Sequence, residues 1–366
     1  MHKHYQYIIE RIQKINGSVY EEAQAYLDRL AKPPGSLGKL EETAARLCGI
    51  SGSLSPEIKK RCVIVLAADN GVVSEGVASA PQAVTAIQTI NMLEGVVGVN
   101  VLAKQFNTDV TVVDVGVNAN LEHPALVNRK IRKSTGNIVR EVAFSRQEAE
   151  TAIEIGISLV KEAKEAGYQL IGVGEMGIGN TTTSSAVLAG LLRLKGAEIE
   201  KVVGKGAGLD DGGFVKKKQV IQQAIALHQP DSVDPIDVLH KVGGLDLATM
   251  TGVYLGAAYE QIPVVIDGFI SVVAALCAVR LNPVVKAYLF ASHRSFERGY
   301  AYAIEELGLE PSLHLDMRLG EGSGCPLMFA MMDGALAVLK NMATFEAASI
   351  STDYVEQVDK LKEATF

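Results

Sequence analysis

Apolar residues fall along this chain in two rhythms. Five short runs, at 62–68, 110–115, 170–173, 263–266 and 286–291, are apolar with little alternation, and each stops abruptly at a glycine, an aspartate or a serine. Runs of that length are the pattern of strands buried on both faces. Between them, apolar residues recur at helical spacing over roughly 83–105, 146–166, 181–194, 216–228, 269–280 and 295–307. Strands alternating with helices predict an α/β fold: a doubly wound, mostly parallel sheet flanked by helices.

The two ends of the chain read differently. Residues 3–30 are helical in pattern, with Ile8, Ile12 and Ile15 on one face. Pro33, Pro34 and Gly35 break that pattern. Ser36 is then placed to cap a helix carrying Leu40, Ala44 and Leu47 on one face, before a loop at 51–56. Helical spacing returns at 325–342 and 352–363. The expected organisation is a small helical domain from 1–50 plus 325–366, and a large α/β domain at 51–324.

Composition sharpens this picture. Of 366 residues, 48% are hydrophobic, ample for a sizeable core, while Trp is absent and aromatics make up 5%. The core is therefore aliphatic and rich in alanine and glycine. A formal charge of −7 without a long basic run argues against a nucleic-acid partner. Cys48, Cys62, Cys277 and Cys325 are widely spaced and form no CxxC pair, so buried inert thiols in a reducing compartment are expected rather than a zinc site. The N-terminal residues lack the apolar core of a signal peptide. The longest apolar stretch, 262–279, is interrupted by Asp267 and Gly268 and reads as strand, turn and helix. A cytoplasmic protein with no membrane partner is expected.

In doubly wound sheets, ligands gather beyond the carboxyl ends of the strands. The polar and glycine clusters at 69–76, 116–118, 174–183, 267–268 and 292–298 all follow strands, so the topology brings them to one rim. The richest, GVGEMGIGNTTTSSA at 172–186, precedes a helix. Gly174, Gly177 and Gly179 permit a tight turn and close backbone approach, and the hydroxyls at 181–185 offer caps. The stretch is either an anion site at a helix N-terminus or an ordinary glycine turn with a threonine cap. It is not a P-loop, and its GxGxxG at 172–177 sits at a late turn. Glu175 within it either caps a neighbouring helix or faces the cleft as an acid or base.

Glu321 stands between Gly320 and Gly322, with Gly324 close behind. Such glycines let a flat substrate approach the main chain and confine the carboxylate in poorly hydrated space, where it becomes a better base. A glycine hinge with an incidental charge is the alternative. Asp69 and Glu75 follow the first strand with no histidine at ligand spacing. Asp267 can contact sugar hydroxyls or stabilise its own turn. Ser292 and His293 lack the elbow of a hydrolase triad. Ser292 or Ser295 either caps a helix or binds phosphate. Lys216, Lys217 and Lys218 read as a solvated face from which one lysine can still reach a phosphate.

Seven motifs, KPPGSLGKLE, AADNGVVSEGV, VGEMGIGNTT, KVGGLDLATMTGV, VIDGFIS, SHRSFERG and MRLGEGSGCPL, occur in that order between about residues 30 and 345. Together they resemble the nicotinate-nucleotide–dimethylbenzimidazole phosphoribosyltransferases of cobamide (vitamin B12) synthesis. The resemblance implies transfer of a phosphoribosyl group from nicotinate mononucleotide to an aromatic lower-ligand base, with inversion at the anomeric carbon and release of nicotinate. It implies Glu321 as the general base, and Glu175 near the sugar and its developing cation. It implies phosphate held by the 174–182 loop with Gly177, Asn180 and Thr181, aided by Ser292 and Lys217, the lysine register being open to Lys216 or Lys218. Ala80, Gln88 and Met176 would surround the base, and Asp267 and Gly320 complete the substrate-binding set. No metal or organic cofactor is implied. The resemblance implies a parallel α/β sheet with a small helical domain and a dimer whose sites include partner residues, either a homodimer or a heterodimer with a paralogue. Many members carry serine or tyrosine before the proline matching Pro81. Alanine at position 80 removes a polar contact and leaves the preferred base open among benzimidazoles, adenine and phenols. Two further readings are a non-catalytic paralogous subunit and a nicotinamide-dependent dehydrogenase, the latter without the first-turn glycine fingerprint.

Overall fold

The computed structural model describes residues 4–352, so the helix expected at 352–363 lies outside the described residues. Six strands form one parallel sheet: β1 (Arg61–Ala68), β2 (Asp109–Gly116), β3 (Val127–Asn128), β4 (Leu170–Met176), β5 (Val264–Ile266) and β6 (Leu289–Ala291). Their order is β3-β2-β1-β4-β5-β6. The chain builds outward from β1 in one direction, returns to β4 beside it, and builds outward the other way. The connections leaving β1 and β4 therefore diverge, which opens a crevice at their carboxyl ends. The α/β sheet expected from the apolar runs is the observed one.

Several elements depart from the expectation. The run at 286–291 opens as a 3-10 turn, Pro283–Tyr288, whose start is capped by the Asn282 side chain, so only Leu289–Ala291 pair in the sheet. The helical stretch at 83–105 is apolar enough by length and composition to cross a bilayer. Its backbone breaks at 94–97 into Ala83–Leu93 and Gly98–Gln105, each too short to span one. Two helices, Pro235–Val242 and Leu245–Tyr259, had no counterpart in the apolar pattern. Every residue from 245 to 258 is buried, so this helix has no polar face to reveal its period.

That buried helix lies against Arg146–Glu165, which a capping box of Ser145 and Glu148 begins. The two backbones nearly touch. A methyl group at Gly156 would lie 2.1 Å from the Thr249 carbonyl oxygen, and one at Gly252 would lie 2.1 Å from that of Ile153. Glycine on both sides permits this approach.

The chain divides into two compact units. Among the described residues the larger comprises 4–13 and 59–328 and contains the whole sheet. Its first helix, His4–Glu10, buries Tyr5 and Ile8, and the Tyr5 hydroxyl donates to Glu150. The smaller comprises 14–58 and 329–352. Helices Gly17–Asp28 and Lys39–Ser51 and the later turns of Gly324–Asn341 enclose Ala23, Leu27, Leu30, Ala44, Ala45, Cys48, Ala335 and Leu339. Ser36 does not cap the helix at Lys39. Gly38, at φ 53°, occupies the cap position without a side-chain bond, and Glu41 reaches back to the Leu37 N–H.

The glycine contact between the two buried helices gives a direct test. Gly156→Ala forces the backbones apart and is expected to cost about 1–3 kcal/mol in urea unfolding. Gly334→Ala, where a methyl would meet open space, is expected to be neutral or slightly stabilising.

Candidate active site

A cavity of about 300 Å³ lies beyond the carboxyl ends of the central strands. Of the residues singled out from sequence, Ala80, Gln88, Glu175, Met176, Gly177, Asn180, Thr181, Asp267, Gly320 and Glu321 line it. Lys217 and Ser292 do not. They stand one layer behind, both fully buried.

The loop around Glu321 is built on left-handed backbone. Gly320, Glu321 and Gly322 have φ values of 83°, 65° and 92° in succession, a conformation costly for a residue bearing a Cβ. The loop runs across β4 with backbone against backbone. A methyl at Gly174 would lie 2.2 Å from the Glu321 carbonyl oxygen, and one at Gly320 would lie 2.5 Å from Glu175 Oε1. Asp267, at the end of β5, holds the loop from beneath by accepting the Gly322 N–H at 3.1 Å and the Gly324 N–H at 2.7 Å. Its carboxylate thus serves a distant loop rather than its own turn. Glu321 itself is 6% exposed. Its Oε2 accepts the Val99 N–H at 3.1 Å, at the start of Gly98–Gln105. Burial raises its pKa, and the Val99 and Gly98 amides partly offset that rise.

Glu175 is the second acid at the rim. Its Oε1 accepts the Glu321 N–H at 3.4 Å, and its Oε2 accepts from Asn180 Nδ2. The same amide nitrogen donates to Asp246 Oδ2 at 3.1 Å. Burial, reinforced by the Asp246 charge, pushes Glu175 up to about 8, and burial pushes Asp246 up to about 6. Burial lifts Asp267 to about 7 against the pull of its two amide donors. His293, at the end of β6, is lowered to about 4 by burial, so the imidazole is neutral at ordinary pH.

One side of the cavity is the start of helix Asn180–Leu191. Gly179, at φ 90°, takes the N-cap position and no side chain caps the helix. The hydroxyls at 181–185 therefore do not occupy its first-turn amides, although the Asn180 and Thr182 N–H groups donate to the Gly177 and Gly179 carbonyls at 3.1 and 2.9 Å. Of the three adjacent lysines, Lys217 alone turns inward, its Nζ donating to Thr181 Oγ1 at 2.8 Å. Desolvation lowers it to about 8. Lys218 pairs with Glu200 instead. Ser292 donates to the Asp267 carbonyl at 3.0 Å and lies 3.0 Å from His293 Nδ1. Neither Ser292 nor Ser295 caps helix Arg298–Leu307, which starts behind Glu297 without a side-chain cap. Asp69 accepts the Asn118 N–H, and Glu75 binds Asn137 and Arg140. Among the described residues no group of three or more His, Cys, Asp or Glu side chains is arranged to hold a metal ion.

A phosphoribosyltransferase family model matches residues 12–350. A relative from Clostridium perfringens bearing the name nicotinate-nucleotide–dimethylbenzimidazole phosphoribosyltransferase is 53% identical over 351 residues, which is 96% of this chain and 96% of that protein. The chain belongs to the nicotinate-nucleotide–dimethylbenzimidazole phosphoribosyltransferase family. A relative of the same name from Ruminiclostridium cellulolyticum is 49% identical over 93% of this chain and 96% of its own length. A crystal structure of the Thermus thermophilus enzyme of that name superposes with a TM-score of 0.86 at 39% identity, over 92% of this chain and 99% of that one.

Sequence reasoning missed several residues at this family's cavity. Arg318, Leu319 and residues 205–207 and 209 line it: the first two lie in the motif read for Glu321, and the alternating glycines at 204, 206 and 208 follow no strand end. Asp246 sits directly behind it. The glycine pair before Leu245 marked that motif, but the acid was assigned no role.

The raised acids have a thermodynamic signature. Glu175, Asp246 and Asp267 bind their protons more tightly in the folded chain than unfolded. The stability they contribute is complete below the ordinary carboxyl range and is lost as pH rises through their raised values. His293 acts with the opposite sign only below its ordinary value of 6.5, and Lys217 only above about 8. Between pH 6.5 and about 8 the ligand-free protein is therefore expected to lose stability as pH rises, read as a falling thermal midpoint, and Glu175→Gln is expected to flatten that slope.

Proposed function

We propose that the chain transfers the phosphoribosyl group of nicotinate mononucleotide to a benzimidazole-type base, giving an α-ribazole-type phosphate and nicotinate, the activation of a lower ligand for cobamide synthesis. One observation carries the reading. Glu321 and Glu175 are linked through the Glu321 N–H on a single cavity whose other side is an uncapped helix N-terminus and whose wall includes the apolar Ala80, Val84, Met176 and Leu319.

On this reading each group has a task. Phosphate binds at the Gly179 and Thr181 N–H groups, with Lys217 acting through the Thr181 hydroxyl. Glu321 accepts the N–H proton of the incoming base, whose other ring nitrogen attacks the anomeric carbon. The bond to nicotinate breaks, its electron pair neutralises the pyridinium nitrogen, and the proton stays on Glu321. The leaving group therefore supplies its own electron sink. Burial makes Glu321 a stronger base than an exposed glutamate. Glu175, once ionised, offsets the positive charge that grows at the anomeric carbon. Asp267 keeps the loop in register and Gly320 admits the substrate beside Glu175. With alanine at position 80, the flat base is held by apolar contact and by Gln88, so its edge substituents are weakly specified.

The same reading includes a homodimer in a reducing cytoplasm. Ile87, Val96 and Val101 are 57%, 66% and 60% exposed on and between helices Ala83–Leu93 and Gly98–Gln105. An apolar face of that kind favours self-association. Cys48, Cys62, Cys277 and Cys325 are all free and buried.

Glu321→Gln is expected to lower kcat by about 10²–10⁴-fold while leaving nucleotide affinity near the starting value. Turnover on nicotinate mononucleotide with a panel of benzimidazoles, purines and phenols measures this, and wild-type turnover in the variant overturns the assignment of the base. Light scattering is expected to give twice the chain mass, and Val96→Glu is expected to shift the population toward monomer.

A further inference from the structure

Asn180 offers one side-chain nitrogen to two carboxyl groups at once. Its Nδ2 reaches Glu175 Oε2 and, at 3.1 Å, Asp246 Oδ2. An amide nitrogen has two hydrogens, so both bonds form, but it brings no positive charge. Asp246 does not line the cavity. It is fully buried in the first turn of Leu245–Tyr259, where its Oδ1 accepts the Leu247 N–H at 2.9 Å.

The surroundings of the pair are acidic. Glu175 is faced by Asp246 from that helix, by Asp267 from the end of β5 and by Glu321 from the 320–324 loop. Asp69, at the end of β1, faces Asp246. His293, at the end of β6, is neutral. The nearby cations are engaged elsewhere: Lys217 on Thr181, Lys205 on Asp211, and Arg318 over the Phe296 ring. Buried carboxylates joined only by a neutral amide do not both keep their charge.

We propose that Asp246 is a positioning residue whose buried carboxylate, packed beside Glu175 across the Asn180 amide they share, keeps Glu175 protonated in the empty site against the pull of that amide, so that the arriving pyridinium nucleotide expels that proton. The inference rests on the proposed phosphoribosyl transfer and deepens it. One O–H bond breaks on Glu175, its proton passes to the buffer, and the pyridinium charge compensates the carboxylate left behind. Asp246 keeps the Leu247 N–H at 2.9 Å as well as Asn180, whereas the backbone donor to Glu175 is 3.4 Å away and Glu175 faces Asp267 as well as Asp246, so the proton resides on Glu175 at neutral pH. The empty cavity thus avoids an accumulation of negative charge, and the acid becomes anionic when the cation that needs it is present. A purely structural Asp246, serving only the first turn of its own helix, would change stability without changing the proton count.

Calorimetric titration of the full-length protein with nicotinate mononucleotide, in buffers of different ionisation enthalpy, counts the protons. At neutral pH the wild-type protein is expected to release close to one proton per nucleotide bound, declining as pH rises through 8. Asp246→Asn is expected to bind the nucleotide while losing more than half of that release. Its rise of kcat/KM with pH is expected to move about one pH unit lower, because Glu175 is then ionised beforehand. Binding by the wild type without buffer dependence overturns the inference, as does an Asp246→Asn variant that releases as many protons as the wild type. Absence of both nucleotide binding and turnover instead defeats the reading under which the nucleotide is the substrate. If Asp246→Asn does not fold, Asp246→Ser provides the same comparison, and infrared difference spectra of empty wild-type and Glu175→Gln proteins at neutral pH give an independent answer. A protonated-carboxyl band assigned to Glu175 is required, and a carboxylate band in its place refutes the proposal.

Discussion

A carboxyl group taken out of water must meet N–H donors or give up its charge. At the carboxyl end of this sheet Glu175, Asp246, Asp267 and Glu321 are all enclosed, and the donors they meet are amides. Asp267 has the Gly322 and Gly324 N–H groups, Glu321 has that of Val99, and Glu175 and Asp246 share Asn180. Every one of these bonds fixes a loop or a helix end as well as an acid. The same contacts that make burial tolerable therefore set the positions of the residues proposed to act. A strong cation at the floor would offset the charge more fully, but it would also hold the acids ionised and hydrogen-bonded when no substrate is present.

Close backbone approach makes that enclosure possible. The 320–322 loop lies on β4 with no side chain between them, because Gly174 and Gly320 leave the space and Gly322 accepts the left-handed turn. The loop is carried there by the sheet order. β1 and β4 are neighbours whose connections diverge, and β5 brings Asp267 beneath the crevice. A cavity at the switch point follows from topology, whereas its acidity follows from which residues occupy the strand ends.

Much of this was legible in the sequence, and the limits are physical. Strands β1, β2 and β4 are visible because apolar runs end sharply in glycine or acid, which happens when a buried strand emerges at a rim. Leu245–Tyr259 is not visible, since a helix buried on all sides has no alternation to detect. Asp267 could be placed at the rim but not given its partners, which lie 55 and 57 residues further along the chain. Among Lys216, Lys217 and Lys218, only the helical phase of Asp211–His228 decides that Lys217 turns toward Thr181. Ser292 was placed near phosphate by motif, yet its hydroxyl is held by the Asp267 carbonyl and does not line the cavity.

On the proposed reading, the two ends of the cavity ask for opposite charges in one molecule. The uncapped helix start favours an anion, and the enclosed acids favour a cation. A nucleotide with a phosphate at one end and a pyridinium at the other satisfies both. The neutral product ring left after transfer satisfies only the first. Loss of the pyridinium charge therefore weakens the hold on the leaving nicotinate at the moment the new bond forms, so the electrostatics that admit the substrate also favour its exchange. This asymmetry requires the acids to be poorly solvated, because in water the same charge difference would be screened to a fraction of its effect. Glu175, Asp246 and Asp267 are buried, which keeps that screening low, and on the proposed reading the chemistry at Glu321 depends on it.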